Sequence, residues 1–427
     1  MSAPAVSREE TNTVVVGAGQ AGLATSYWLA QRGVEHRLLE RRPALGGAWL
    51  DRWESFYLNT PNFSLALPGT SYDGPEPDAF IPRDATVDFF RSYAQDIHAP
   101  VELDTDVTRI TPAGTGFTLE TGRGTWAARN VVLASGAFQR PRIPRAAVGL
   151  SPDVLQLHSH EYRKPGQLPE GAVLVVGTGQ SGGQITEDLL DAGRTVHLSV
   201  SSCPEAPRRY RGQDIFHWIV AVNVHGPGYG INALLVDQLP SPAGRFMCNP
   251  LLSGNGGGHS VHLRGLGRRG VRLHGRFEGL HDDDLVFTDD LPQRLGLVEA
   301  GFGQRLKLLA DAYIRAAGID APEAEKPEAD HWLPAESGAR LDLAAEGITS
   351  VIWCTGYALD FSILDLPLLD EWNYPRHVKG VTEQPGLYAV GLPWLTRHIS
   401  ATLVGVGPDA EYVTEHLAAR ERTATRT

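Results

Sequence analysis

The chain has 427 residues, 42% hydrophobic and 21% charged, the balance of a globular enzyme with a substantial core and roughly two or three domains. Its 50 acidic residues outnumber 38 basic ones, for a formal charge of −12 with no basic block or arm, which disfavours nucleic acid as a partner. No apolar run reaches membrane-spanning length and residues 1–13 lack a signal-type hydrophobic stretch, so a cytoplasmic protein without a membrane partner is expected.

The first predicted elements are a strand over 13–16, a glycine turn Gly17-Ala18-Gly19-Gln20-Ala21-Gly22, a helix near 20–32 and a strand over 36–40 ending at Glu40. The turn is a G-x-G-x-x-G fingerprint in strand-to-helix context. Its first glycine permits the tight turn, the second lets backbone approach a pyrophosphate, and the third lets helix and strand pack closely. Glu40 stands 18 residues after Gly22, where a carboxylate accepts from a ribose 2′-hydroxyl and repels a 2′-phosphate. This site therefore suits FAD or NAD.

A Pro- and Gly-rich stretch, 61–82, reads as irregular loop over a site, and 130–136 as a buried strand closing on a glycine turn. Pro141, Pro144 and Pro152 then punctuate a crossing to a second unit beginning near 166. There the fingerprint returns 160 residues after its first appearance, as Gly177-Thr178-Gly179-Gln180-Ser181-Gly182, and Gly193 repeats Gly33 at the same offset. The position equivalent to Glu40 is Val200, flanked by Ser199, Ser201 and Ser202 and followed by Arg208, Arg209 and Arg211. Hydroxyls and guanidinium forks without a carboxylate suit a 2′-phosphate, so this site reads as NADPH.

Further on, 260–264 and 271–273 are strand-like, 352–357 repeats the logic of 130–136, 386–391 is a third strand closing on glycine, and 408–420 is a final helix. The late segments are expected to complete the first unit. The fold class is α/β with two Rossmann-like dinucleotide-binding domains: 1–165 with 325–427 for FAD, and an inserted 166–324 for NADPH. No two of Cys203, Cys248 and Cys354 lie close in sequence, which disfavours electron carriage through a redox-active disulfide. His158 and His160 have no cysteine or carboxylate cluster at ligand spacing, and no metal is expected.

The paired fingerprints, Gly46-Gly47-Ala48-Trp49, the run His158-Ser159-His160-Glu161-Tyr162-Arg163 and Cys354-Thr355-Gly356-Tyr357 follow one another along most of the chain. In this order they resemble the flavin-containing monooxygenases, within the class B flavoprotein monooxygenases that include YUCCA-type and Baeyer–Villiger enzymes. The family's usual F-x-G before the histidine is replaced by Pro152 and Val154, and Tyr162 stands where Baeyer–Villiger enzymes carry Trp, which makes ketone insertion the less favoured activity. Gly391 is followed by Leu392-Pro393-Trp394, without the Asp of many related reductases.

The resemblance implies FAD at the first site and NADPH at the second, reduction of one by the other, formation of a C4a-hydroperoxyflavin from O2, and oxygenation of a small organic substrate at nitrogen, sulfur or an activated carbonyl. A flavin reductase or oxidase is the rival activity, a non-catalytic nucleotide-binding protein is the rival from another class, and homo-oligomerisation stays open. Asn59 matches the family's Asn near the flavin, and its neutral amide can donate at every pH; in Tyr57-Leu58-Asn59-Thr60-Pro61 a plain turn role is the alternative. Trp49 is the second catalytic candidate, as a ring against the flavin or nicotinamide, or else as core. Gly47, Thr355 and Gly356 are candidate cofactor contacts, and His158 and Tyr162 are placed to brace the two units together.

Overall fold

A parallel strand covered on both faces must be apolar along its whole length. Val14, Val15 and Val16 in the first unit, and Val173, Leu174, Val175 and Val176 in the second, are all buried. The structure, a computed structural model, describes residues 8–281, 284–325, 330–335 and 338–424. In the first sheet the strand Arg8–Val16 lies between His36–Leu39 and Gly124–Leu133, parallel to both. Val101–Glu102 extends one side, and Leu387–Ala389 pairs in parallel beyond Gly124–Leu133. An antiparallel meander, Val107–Ala113 and Gly116–Thr121, leads into Gly124–Leu133. Helix Gln20–Gln31 covers one face and packs against the final helix Leu403–Ala424.

The second sheet is all parallel, in the order Arg272–His274, Val196–Ser199, Ala172–Val176, Ile348–Trp353, Leu155–His158. It has its own antiparallel appendage of Phe277–His281, Asp284–Phe287 and Arg340–Asp342. The two units therefore share one plan: fingerprint strand in the middle, helix after the turn, a three-stranded meander in the crossover.

Three expectations are corrected. The strand Ile348–Trp353 completes the second sheet and not the first, with Trp353 opposite Val176 as Leu133 lies opposite Val16. Since Leu155–His158 joins it there, the second unit extends beyond 166–324 on both sides, and the limits 1–165 and 325–427 are displaced accordingly. Among the late strands only Leu387–Ala389 and the short hairpin before it return to the first sheet. Residues 260–264 are not a strand: only His259–Ser260 pairs, and Leu263–Arg268 is helical. The last helix begins at Leu403, with Pro408 inside it. Its opening turn is drawn tight by glycine, since a Cβ on Gly405 would meet Ile399 O at 1.9 Å.

Two glycines in the second unit predict opposite responses to the same substitution. A Cβ on buried Gly303 would meet Glu205 O at 1.9 Å, whereas on exposed Gly296, within helix Leu291–Glu299, it would meet nothing within 4 Å. Gly303→Ala should destabilise by about 1–3 kcal/mol through overpacking, and Gly296→Ala should stabilise by about 0.5–1 kcal/mol through reduced unfolded-state entropy. Thermal unfolding of the two variants checks this; a neutral Gly303→Ala would mean that the helix does not approach the 205 carbonyl.

Candidate functional site

The two fingerprint turns repeat contact by contact. Gly17 and Gly177 have φ of 101° and 102°, and a Cβ on them would meet Ala134 O at 2.8 Å and Cys354 O at 2.6 Å. On Gly22 and Gly182 it would meet the carbonyl of Gly17 at 2.0 Å and of Gly177 at 1.9 Å, so the helix starts against its own turn. Gly19 and Gly179 are the helix N-caps, and neither uses a side chain to cap. The first-turn N–H groups remain for an anionic ligand. Nothing lies within 4 Å of the Cβ position of Gly19, which leaves that face open to a pyrophosphate. Gly47, at φ 53°, sits beside it, its own Cβ position 3.4 Å from Gly19 Cα. Ala21 backs the turn, close under Gly391, and Gln20 Nε2 donates to Ala401 O at 2.6 Å.

The repeat breaks at one acceptor. In the first turn Ala18 N–H donates to buried Glu40 Oε2 at 2.8 Å, and Arg42 N–H donates to Oε1 at 3.0 Å. In the second, Thr178 N–H donates to Ser201 Oγ at 3.2 Å, while Thr178 Oγ1 accepts from Ser201 N–H at 3.0 Å. Ser201 thus occupies the role of Glu40, one residue later than the ungapped comparison with Val200 indicates. One site presents a carboxylate where the other presents a neutral hydroxyl. Gln180 Nε2 donates to Pro250 O, its Oε1 accepts from Leu252 N–H at 3.3 Å, and Ser181 is half-buried on the same first turn.

Arg208 corrects an expectation. Its guanidinium is buried, with Nε and Nη2 on the two oxygens of Asp214 at 2.6 and 2.7 Å and Nη1 on Asn59 O at 2.8 Å. Three of its five N–H donors thus go to protein acceptors and the guanidinium stacks over Phe80, a structural role that the sequence reading did not give it. Arg209, in contrast, is exposed and lines an open cleft of about 400 Å³ with His259 and His262. Hydrogen bonds from those imidazoles to Glu187 and Glu205 raise the pKa of both.

The same Arg208 contact anchors the Asn59 loop to the second unit. Asn59 is half-buried, and its side-chain amide makes no hydrogen bond to another described residue. Trp49 is half-buried and packs against both Phe56 and Phe90, touching the cores of both units. Arg52 lies over the Trp49 and Phe138 rings beside Tyr357; burial lowers its pKa, against which the Tyr357 oxygen acts.

The linker is laced to this region by polar contacts. Arg42 Nη1 donates to Asp51 Oδ1 at 2.9 Å, and Arg163 Nη1 donates to the Asp51 carbonyl at 2.9 Å and to His160 O at 2.7 Å. His158 accepts at Nδ1 from His160 N–H and directs Nε2 to Gly356 O at 3.0 Å, which fixes the proton on Nε2. Burial lowers its pKa, so it is a neutral post. Tyr162 is fully buried and donates at 2.5 Å to Asp188 of the helix Gln180–Asp191 that follows the second fingerprint turn; burial pushes its pKa up. Asp188 also accepts from Ser55 at 2.6 Å. Thr355 donates to Arg142 O, and Gly356 O also accepts from Arg142 N–H at 2.9 Å. Burial pushes the Cys354 thiol up, which removes it as a nucleophile. Among the described residues no group of His, Cys, Asp and Glu could hold a metal.

Sequence reasoning missed Asp51, Arg52, Asp188 and Asp214. Arg163 in the linker run and the position of Asp51 and Arg52 just after Trp49 were signals for the first two; the two helix-associated aspartates had none.

The family model of the pyridine nucleotide-disulphide oxidoreductases matches residues 14–220, from the first fingerprint past the second. An uncharacterized CzcO-like oxidoreductase of Geobacillus kaustophilus is 31% identical over 407 residues, covering 94% of this chain and 97% of its own. The indole-3-pyruvate monooxygenase YUCCA6 of Arabidopsis thaliana is 28% identical over 226 residues, covering 48% of this chain and 52% of its own. The solved structure of a flavin-containing monooxygenase from Stenotrophomonas maltophilia superposes with a TM-score of 0.64 at 20% identity, covering 96% of this chain and 99% of that one. The chain belongs to the CzcO-like oxidoreductases, and it shares its fold with a flavin-containing monooxygenase. The glycine cradles and open helix N-termini fit two dinucleotides. No helix among the described residues is long and apolar enough to cross a membrane.

The two neighbouring arginines are predicted to separate cleanly. Arg208→Ala leaves Asp214 buried without its partner, which costs about 3–5 kcal/mol. Arg209→Ala removes an exposed side chain and should change stability by less than about 0.5 kcal/mol. Chemical denaturation measures both; an unaffected Arg208→Ala would contradict its place in the fold.

Proposed function

We propose that this protein is an FAD-dependent, NADPH-consuming monooxygenase that transfers one oxygen atom of O2 to a small organic substrate at nitrogen, sulfur or an activated carbonyl. The observation that carries the reading is the pair of matched turns differing in one acceptor, Glu40 against Ser201. FAD is held by Gly17, Gly19, Gln20, Ala21, Gly22 and Glu40, with Gly47 and Trp49 alongside. NADPH is held by Gly177, Gly179, Gln180, Ser181, Gly182 and Ser201, with Thr355 and Gly356 at the end of the neighbouring strand. The exposed Arg209 replaces Arg208 as the partner of the 2′-phosphate.

FAD held there would supply the redox chemistry between NADPH and O2, with one oxygen atom going to the substrate and the other to water. The chain's own residues orient and enclose. Glu40 repels a 2′-phosphate from the first site, and Ser201 admits one to the second. His158, held between His160 N–H and the Gly356 carbonyl, fixes the linker. Trp49 closes the junction with apolar surface, which excludes water. The Asn59 amide, free of other described partners and neutral at every pH, donates to substrate or nicotinamide.

Two measurements test this. With ¹⁸O2 and a panel of tertiary amines, sulfides and ketones, at least one substrate should gain one ¹⁸O atom per NADPH oxidised; NADPH oxidation ending only in hydrogen peroxide with every substrate would favour an oxidase. Ser201→Asp places a carboxylate where the second site has a hydroxyl, and should raise the KM for NADPH relative to NADH by roughly tenfold or more, equivalent to ~1.4 kcal/mol. Equal effects on both cofactors would remove Ser201 from the 2′-phosphate.

A further inference from the structure

The short helix Gly47–Asp51, which begins beside the first dinucleotide turn, ends at Arg52, whose N–H donates to Trp49 O at 3.2 Å. Three segments meet around its side chain. The guanidinium carbon stands 6.0 Å from the Trp49 ring centre and 5.0 Å from that of Phe138, and the Phe138 ring meets Tyr357 edge to face at 5.2 Å. Each of these segments leads back to a glycine turn. Gly47 sits beside Gly19, Phe138 follows Ala134, whose carbonyl faces Gly17, and Tyr357 follows Cys354, whose carbonyl faces Gly177. Arg52 therefore lies beyond the carboxyl ends of strands from both sheets, where ligands of parallel sheets bind.

The charges around it do not balance. Asp51 is gripped through both oxygens by Arg42, and its carboxylate also lies 3.6 Å from His160 and 4.0 Å from Arg163. Among the described residues no carboxylate stands within ion-pair distance of Arg52, and its Nε is buried without a partner. The groups of the chain that favour its charge are the Tyr357 oxygen and the neighbouring Asp51. Three guanidinium groups thus draw on one carboxylate. A half-buried cation so placed is best satisfied when a ligand brings the missing negative charge. Lying over a ring, a guanidinium still keeps its N–H edge for two parallel hydrogen bonds to a carboxylate. The pyrophosphates of two dinucleotides have donors of their own at the helix N-termini after Gly19 and Gly179. The reactant left without a charge partner is the substrate.

We propose that Arg52 is the receptor for a carboxylate on the substrate, so that small organic acids are the substrate class. The proposal rests on the reading that the two turns hold FAD and NADPH for oxygen transfer. Phe138, half-exposed beside the guanidinium, offers apolar surface to the rest of the molecule. Arg52 takes no part in the redox step; by holding the acid end it selects the substrate and orients the atom that is oxygenated.

The test titrates FAD-loaded protein, by calorimetry, with (methylthio)acetate, (phenylthio)acetate and (benzylthio)acetate and with the amide of each. At least one acid should bind tenfold or more tighter than its amide, the gain of one charge-assisted pair. Arg52→Met should bring that acid to the level of its amide while NADP⁺ affinity stays within twofold, and Arg52→Lys should keep part of the preference. In the wild type the preference should shrink with rising salt, a measurement that stands even if Arg52→Met fails to retain FAD. No acid favoured over its amide, or a preference that survives in Arg52→Met, would overturn the proposal. Loss of NADP⁺ affinity in Arg52→Met, with the acid preference kept, would assign Arg52 to a dinucleotide phosphate instead. An acid that binds through Arg52 yet gains no ¹⁸O from ¹⁸O2 during NADPH oxidation would refute the oxygenation and uphold the receptor.

Discussion

The backbone N–H after the first glycine of each turn points away from its own strand and needs an acceptor from the next one. An unmet buried donor costs about 1–3 kcal/mol, so the end of the second strand of each unit is fixed in place by this hydrogen bond. Glu40 meets it in the first unit and Ser201 in the second. The same group then faces the site where a dinucleotide's adenosine ribose would lie, so a structural requirement of the turn also sets the charge of the pocket. A carboxylate and a hydroxyl satisfy the N–H equally well, but only the hydroxyl tolerates a neighbouring phosphate.

For the proposed transfer between two bound dinucleotides, duplicating this arrangement meets half of the requirement; the other half is placing the two sites against each other. Effective reaction between bound partners depends on holding them to within about an ångström. Here the two sheets are joined by polar ties and not by the linker alone: Arg208 between Asp214 and Asn59, Ser55 on Asp188, and Arg163 on Asp51. Trp49 packs on both cores at the same junction. These ties account for the ionic side chains found between the two units.

What could be read from the sequence was local. The glycine turns, their strands and helices, and the α/β class were legible because the steric need for Gly17, Gly22, Gly177 and Gly182 arises within a few residues of each. The domain limits were not, because the strand 348–353 closes on a glycine just as 130–136 does, and the choice between two parallel sheets lies in its pairing partner, Val176. Arg208 and Arg209 are adjacent and alike in sequence, and only the fold makes one a buried peg and the other an exposed cation. Ser201 was missed as the counterpart of Glu40 by one residue, since an acceptor on a short side chain must start closer to the N–H it meets.

The central claim is that two nearly identical turns are sorted between two dinucleotides by one side chain each. A crystal structure with FAD and NADP⁺ bound measures this directly. The account predicts the FAD ribose hydroxyls on Glu40 and the 2′-phosphate of NADP⁺ beside Ser201 and Arg209, with Arg208 still on Asp214. A 2′-phosphate bound elsewhere, or FAD lying over Gly177 to Gly182, would contradict it.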